Sequence, residues 1–318
     1  MSTTTSISTT YAGEAAGKYI SAALLSAPTL EKGLVTIKPN IKYKEVVKKL
    51  TQGSFLKDGT CDFDATGTIT LTERILEPKE LQVNNQLCKK DFRSDWDAIS
   101  MGYSAFDNLP PTFADFLVAN HVAKVAAENE VNIWRGVATT SGQFDGFATL
   151  LALDANLPAA NEVAGTTVTS ANAVAELQKI VAAIPATLYG LEGGKIFVAQ
   201  NIFKAYVQAL GGYAANGVGA SGTDTKGSQW YSMGSGLQID GVQLEMVQGL
   251  AANTAIFAQT ENLWFGTGLL NDTNEVKVID MADIDGSQNV RIVMRMTGGV
   301  QYGNVEEIVT YGIVNSAN

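Results

Sequence analysis

Thr68-Ile69-Thr70-Leu71-Thr72-Glu73 and Leu81-Gln82-Val83-Asn84, followed by Pro110-Pro111 and an alanine-rich run to Gly136, decide the architecture of this chain. The first two segments alternate apolar and polar residues, as half-exposed strands do. They read as the two arms of a long ribbon spanning residues 36–90, with a tip near Gln52 to Gly59 and a second turn at Glu77-Pro78-Lys79. Two strands alone bury too little surface to hold each other in water. Support from outside the chain is therefore expected, which points to an assembly subunit rather than a self-contained enzyme.

Working outward, residues 110–135 predict one long helix. Pro110-Pro111 suits a first turn, where a missing N–H costs nothing, and Gly136 is placed as a C-terminal stop. Residues 1–35 read as an N-terminal arm, Ser/Thr-rich at its start and interrupted by Gly13, Gly17, Pro28 and Gly33. Residues 146–264 read as a mixed α/β unit. It has a helix over Ser170–Ile184, a buried strand over Lys195–Ala199, a helix over Asn201–Leu210 and a long glycine-rich loop after Gly211. Strands resume at Leu237 and Val242. Toward the end, Val290, Ile292, Met294 and Met296 alternate with Arg291, Val293, Arg295 and Thr297, predicting a two-faced strand that Gly298-Gly299 breaks. A last strand is expected at Ile308–Tyr311.

Charge divides the chain. The net charge of −10 argues against nucleic acid as a tightly held partner. Residues 31–58 carry seven lysines (Lys32, Lys38, Lys42, Lys44, Lys48, Lys49 and Lys57) against Glu31, Glu45 and Asp58, while residues 136–290 carry fourteen acids against five lysines. A basic ribbon and an acidic body can attract each other between copies of one chain, or stand as two solvated surfaces of opposite sign. Lys42, Lys44, Lys48, Lys49, Phe55 and Lys57 are the candidate inter-subunit contacts.

The residues offer little to catalysis. His121 is the single histidine and falls inside the long helix, so neither a Ser/His/Asp triad nor a multi-histidine metal site has material to build on. Gly217-Val218-Gly219-Ala220-Ser221-Gly222 matches G-x-G-x-x-G, but Thr223-Asp224-Thr225-Lys226-Gly227 follows where a helix is required, so a loop is expected and no dinucleotide. Asp283-Ile284-Asp285-Gly286 lacks the later carboxylate of a calcium loop and predicts a turn. Asp62 and Asp64 read as solvated charge. Cys61 and Cys88 lack metal-ligand spacing and are too few for a disulfide scaffold. The first residues show no signal peptide and no window reaches the length of a membrane span, which predicts an intracellular soluble product. No enzyme activity, metal or cofactor is expected.

The order of these parts resembles the major capsid proteins of tailed bacteriophages, the Hong Kong 97-type fold. The resemblance is carried by Leu71-Thr72-Glu73-Arg74-Ile75-Leu76-Glu77-Pro78-Lys79 through Val83-Asn84 to Cys88-Lys89-Lys90-Asp91-Phe92, then by Met101-Gly102-Tyr103-Ser104-Ala105. Asp107-Asn108-Leu109-Pro110-Pro111, Asn132-Ile133-Trp134-Arg135-Gly136, Asn262-Leu263-Trp264-Phe265-Gly266-Thr267 and the ending from Asn289 to Gly312 are similar to capsid proteins of phages infecting Bacteroidota. The implied class is α+β: an N-terminal arm (1–35), an extended β-hairpin loop (36–90), a peripheral domain with a long spine helix (91–145), an axial α/β domain (146–264) and returning peripheral strands (265–318).

The resemblance also implies hexamers and pentamers of this chain closing into an icosahedral virion shell. That shell would be assembled in the host cytoplasm and enclose DNA without reading its sequence. Portal, scaffold and decoration proteins are the implied partners, and no membrane. Some members carry a long scaffolding segment before the arm; the roughly 35 residues ahead of the ribbon predict none here. Some members link subunits from a loop lysine to an asparagine, and Lys57 sits at the ribbon tip, with no acceptor identifiable. The alternative is an encapsulin-like cellular nanocompartment shell, which shares the fold class and packages an enzyme cargo.

Overall fold

The computed structural model describes residues 28–52, 56, 58–59, 67, 69–88, 111–210, 237–268 and 276–317. Residues 1–27, Phe55, Lys57, Cys61, Asp62, Asp64, the segments Lys89–Phe92 and Met101–Pro110, and the glycine-rich loop after Gly211 lie outside them. The expectations placed on those residues are not addressed by the fold.

The elements follow in chain order. A short helix α1 (Pro28–Glu31) leads to β1 (Thr36–Lys38), β2 (Glu45–Gln52), β3 (Ile69–Leu76) and β4 (Lys79–Cys88). The long helix α2 (Pro111–Arg135) and α3 (Phe147–Ala152) come next. Then follow β5 (Glu162–Val163), α4 (Ala173–Ala183), β6 (Gly194–Val198), α5 (Gln200–Ala209), β7 (Gln238–Ile239), β8 (Val242–Met246), β9 (Ala255–Gln259) and β10 (Leu263–Gly266). The chain ends with β11 (Val276–Asp280), α6 (Ala282–Asp285), β12 (Asn289–Tyr302) and β13 (Val309–Tyr311).

Two compact units result. One comprises Glu80–Asn129 and Leu269–Thr297 among the described residues; the other comprises Pro28–Lys79, Glu130–Gly268 and Gly298–Asn318. In the first, β11 runs antiparallel to the start of β12, with Val278 opposite Ile292 and Val276 opposite Met294. Val290, Ile292 and Met294 are buried while Arg291 and Arg295 are exposed, the alternation expected of a strand with one dry face. Asn85 Nδ2 lies 2.8 Å from His121 Nε2, giving the single histidine a structural hydrogen bond on α2.

The second unit is built around a six-stranded sheet in the order β5-β13-β9-β6-β8-β7. Helices α4 and α5 bury Leu177, Ile180, Ile202 and Tyr206 with Ile196, Leu244, Phe257 and Tyr311 of the sheet. Strands β6 and β9, sequential runs of apolar residues, are buried along most of their length, as central strands covered on both faces require. Strand β13 pairs antiparallel with β9 and parallel with β5. The final strand therefore lies second from one edge of this sheet, between β5 and β9.

Two expectations are corrected. The ribbon pairs β2 with β3, from Glu45 opposite Leu76 to Gln52 opposite Ile69; Leu81–Asn84, read as its second arm, lies in β4, which pairs with β12. Both segments alternate, and alternation alone does not name a partner. Strand β12 also runs through Gly298-Gly299 rather than ending there. A Cβ on Gly299 would stand 2.9 Å from the Glu77 carbonyl oxygen and 3.0 Å from Pro78 Cα, so the glycine admits a turn against the strand. Gly136 ends α2 for a similar reason: its Cβ would meet the Phe144 carbonyl oxygen at 2.2 Å, and Gly146 N–H donates to its carbonyl at 2.9 Å. The stop is a close backbone approach, not a left-handed residue.

Helix α2, with 25 residues, is about 37 Å long at 1.5 Å per residue. Its last turn belongs to the second unit, where Ile133 and Trp134 are buried and the Trp134 ring lies 5.4 Å from Phe147 and 5.0 Å from Phe197. The Asp283-Ile284-Asp285-Gly286 segment is a helical turn closed by Gly286 at φ +71°, and Ser287 N–H donates to Asp285. Its role is the expected turn.

Candidate assembly surface

The register of the β2–β3 ribbon sorts its residues onto two faces, since directly opposed residues of an antiparallel pair share a face. One face carries Glu45 with Leu76, Val47 with Arg74, and Lys49 with Thr72. The other carries Val46 with Ile75 and Lys48 with Glu73, followed along β3 by Leu71 and Ile69.

The first face is pinned to its own chain near the base. Leu76 is wholly buried. The Arg74 guanidinium lies 2.5 Å from Asp154 Oδ2 and stacks over the Tyr302 ring, 4.5 Å to its centroid. The Tyr302 hydroxyl donates to the same carboxylate oxygen at 2.8 Å, and Asn156 N–H donates to the other at 2.9 Å. Burial alone would push the Asp154 carboxyl up, but the Asn156, Tyr302 and Arg74 donors together hold it below the usual carboxylate value. Burial and the Asp154 carboxylate both push the Tyr302 phenol well above its ordinary range. Gln301 Nε2 donates to the Ile75 carbonyl at 3.1 Å, adding a hold on the edge of β3. A polar groove of about 470 Å³ runs beside this base, lined by Thr72, Arg74, Asn156, Gln301, Asn304 and Glu306 among others.

The lysines expected at inter-subunit contacts divide accordingly. Lys49 Nζ donates to Asn304 Oδ1 at 2.6 Å and pairs with Glu306 at 3.3 Å. Lys44 pairs with Glu77 at 2.8 Å, and that carboxylate raises its pKa above the ordinary lysine value. Both are paired within the subunit. Lys44–Glu77 closes beside the Glu45–Leu76 end of the ribbon, whereas Lys49–Glu306 spans most of the chain. Lys42 and Lys48 are exposed, with no ion pair to a described residue. Lys48 stands opposite Glu73 on the outward face. Phe55 and Lys57 are outside the described residues.

That outward face is apolar and open. Leu71 is 66% exposed, Ile69 61%, Val46 47% and Ile75 44%. Apolar side chains are common singly on a surface, but four along one narrow two-stranded face form a patch that water covers at a cost. Along β3, Ile69, Thr70, Leu71, Thr72 and Glu73 are all exposed. Sequence reasoning identified the ribbon by its alternation but placed the emphasis on lysines. The signal for the apolar face was available in Ile69, Leu71 and Ile75, while the anchor formed by Arg74, Asp154 and Tyr302 had none.

Elsewhere in the second unit a cleft of about 310 Å³ is lined by Ile184, Leu188, Tyr189, Gln238, Gln243 and Phe257 among others, with Glu192 as its carboxylate. Among the described residues no group of three His, Cys, Asp or Glu side chains is placed to hold a metal ion, and no helix is long and apolar enough to cross a membrane.

No family model matches the sequence, and no curated protein matches it. Solved structures do match its fold. A chain from the capsid of a native GTA particle is 15% identical, with a TM-score of 0.58 over 92% of each chain. A chain of Mycobacterium phage Adephagia is 12% identical, with a TM-score of 0.56 over 91% of each. A chain from the capsid of Myoviridae phage XM1 is 11% identical, with a TM-score of 0.55 over 91% of this chain and 93% of that one. The mixed α/β fold of this chain is similar to that of these phage and particle capsid chains.

Proposed function

We propose that this chain is the major capsid protein of a tailed phage, self-assembling as hexamers and pentamers into an icosahedral shell around double-stranded DNA. The observation that carries the reading is the open face of the β2–β3 ribbon. Its base is anchored by Arg74 and Asp154, so the ribbon is held out as a defined element, while Val46, Ile69, Leu71 and Ile75 await cover. A surface of that kind suits a neighbouring copy of the same chain, as subunit contacts in closed symmetric assemblies require. Lys42 and Lys48, unpaired within the described chain, would add attraction to acidic groups of the neighbour; the predominance of acids over residues 136–290 supports this.

On this reading α2 is the spine helix, and the six-stranded sheet with α4 and α5 is the axial domain. The motifs around Asp107–Pro111 and Asn132–Gly136 support a phage infecting Bacteroidota. Portal, scaffold or decoration proteins are further partners, and assembly takes place in the host cytoplasm. An encapsulin-like shell is the second reading on the same fold, distinguished by a folded enzyme copurifying within the particles.

Negative-stain microscopy with light scattering on the purified, untagged chain tests the proposal. Closed particles or capsomer rings of megadalton mass are expected, either from the chain alone or on coexpression with its neighbouring genes. A stable monomer under both conditions would overturn it.

A further inference from the structure

Glu130 is a carboxylate with no exposed surface and, among the described residues, no cation paired with it. It lies near the end of α2 and reaches α1 across the chain, accepting from Thr29 N–H at 3.2 Å and from the Thr29 hydroxyl at 2.7 Å. The Trp134 indole N–H donates to that hydroxyl at 2.8 Å, which fixes the hydroxyl's own proton toward Glu130. The backbone of Gly249 packs onto the same turn: a Cβ there would stand 2.1 Å from the Glu130 carbonyl oxygen and 2.7 Å from Trp134 Cδ1. Thr29 is wholly buried as well.

Charged groups on the surrounding elements are committed elsewhere. On the α1 side Lys32 pairs with Glu245 of β8 at 3.7 Å, and Lys195 of β6 pairs with the same carboxylate at 3.7 Å. Glu31 and Arg135 are exposed, and Glu128 pairs with Lys124 at 3.5 Å on α2 itself. Among the described residues the Glu130 carboxylate is held by neutral donors and by no ion pair, and a buried anion without a counter-charge is costly.

We propose that Glu130 is a proton-operated latch on α1. The strap Pro28–Gly33 is held closed most firmly when the carboxyl is protonated, and it loosens as the carboxyl ionises. The latch is a property of one subunit and does not require a shell.

The sign follows from linkage. Burial pushes the Glu130 carboxyl up, by more than the Thr29, Trp134 and Gly249 hydrogen bonds pull it down. Closed, the strap therefore binds the proton more tightly than it does open, where the carboxyl returns toward its ordinary value of 4.5. The stabilisation from the proton is complete below 4.5, and it is lost as pH rises through the raised value of the closed state. Over that interval the opening equilibrium grows with pH, by at most about tenfold per pH unit for a single proton, then levels off.

Hydrogen exchange resolved by mass spectrometry on the full chain, from pH 4 to 8 and corrected for intrinsic rates, reads this directly. Protection of the peptide covering Thr29 to Gly33 is expected to fall as pH rises above 4.5, by at most about tenfold per pH unit, before levelling. The peptide covering Ile196 to Ala199 should stay flat. Glu130→Gln, which cannot ionise, should abolish the dependence at the strap. Strap protection that is flat in the wild type, or equally pH-dependent in Glu130→Gln, would overturn the latch. Should that variant not fold, Thr29→Val supplies the second test: loss of a donor to the carboxylate should move the fall in protection to higher pH, and an unmoved curve would overturn the latch.

Discussion

Arg74 on the ribbon and Asp154 beyond α3 form an ion pair at 2.5 Å across eighty residues of sequence, with the Tyr302 hydroxyl donating to the same carboxylate oxygen. The pair is where an otherwise unsupported two-stranded element becomes fixed to the body. It is mostly shielded, so it differs from the surface bridges that contribute little. Removing one partner leaves the other charge in a poor solvent.

Arg74→Met should therefore destabilise the subunit by about 3 kcal/mol, since the stranded Asp154 costs more than the bridge was worth. The double variant Arg74→Met with Asp154→Leu should recover much of that loss. Urea unfolding midpoints of the unassembled chain check both; equal loss in the single and the double variant would show that the pair does not act as a unit.

Acid should act on the same anchor. The Asp154 carboxyl is held below its ordinary value of 3.8, so its contribution is present above pH 3.8 and is lost as pH falls through the lower native value. Asp154→Asn should flatten the stability profile below pH 4 relative to wild type. Urea midpoints collected between pH 3 and 5 would reveal it, and parallel profiles would count against the assignment.

The open face of the ribbon predicts a separation of folding from assembly. Ile69→Asp and Leu71→Asp place charges on exposed positions, so monomer stability should change by no more than about 0.5 kcal/mol. Particle yield by light scattering should fall several-fold. A fall in yield accompanied by an equal loss of monomer stability would mean that the face is packed within the subunit.

Charge reversal should sort the lysines into two classes. Lys48→Glu leaves every described ion pair intact and should weaken assembly most at low salt, where screening is least. Lys49→Glu faces Glu306 and should loosen the ribbon base in the monomer as well. Exchange rates of the β2–β3 amides distinguish the two; identical behaviour would remove the division.

Gly249→Ala should cost about 1–3 kcal/mol, because its methyl group meets the Glu130 carbonyl oxygen at 2.1 Å and backbone cannot swing aside. Thermal unfolding followed by Trp134 fluorescence is the measurement; an unshifted midpoint would contradict the close approach.

The sequence by itself determined the elements. Alternation marked β3 and the face of β12 with Val290, Ile292 and Met294 inward, and the Pro111 start marked α2 within a residue. Apolar runs marked β6 and the helix after it, because local pattern and local burial have the same period. Only the tertiary structure decided the partners. Leu81–Asn84 and Glu45–Gln52 both read as strands, yet β3 takes the latter, since pairing is settled by which edges meet and not by the pattern within an edge. Lys49 reads as a free cation until Glu306 is folded beside it, and Glu130 reads as one more helix-surface acid until Thr29 and Gly249 close over it. Burial and charge pairing depend on residues a hundred or more positions apart, and that distance is what a local pattern does not carry.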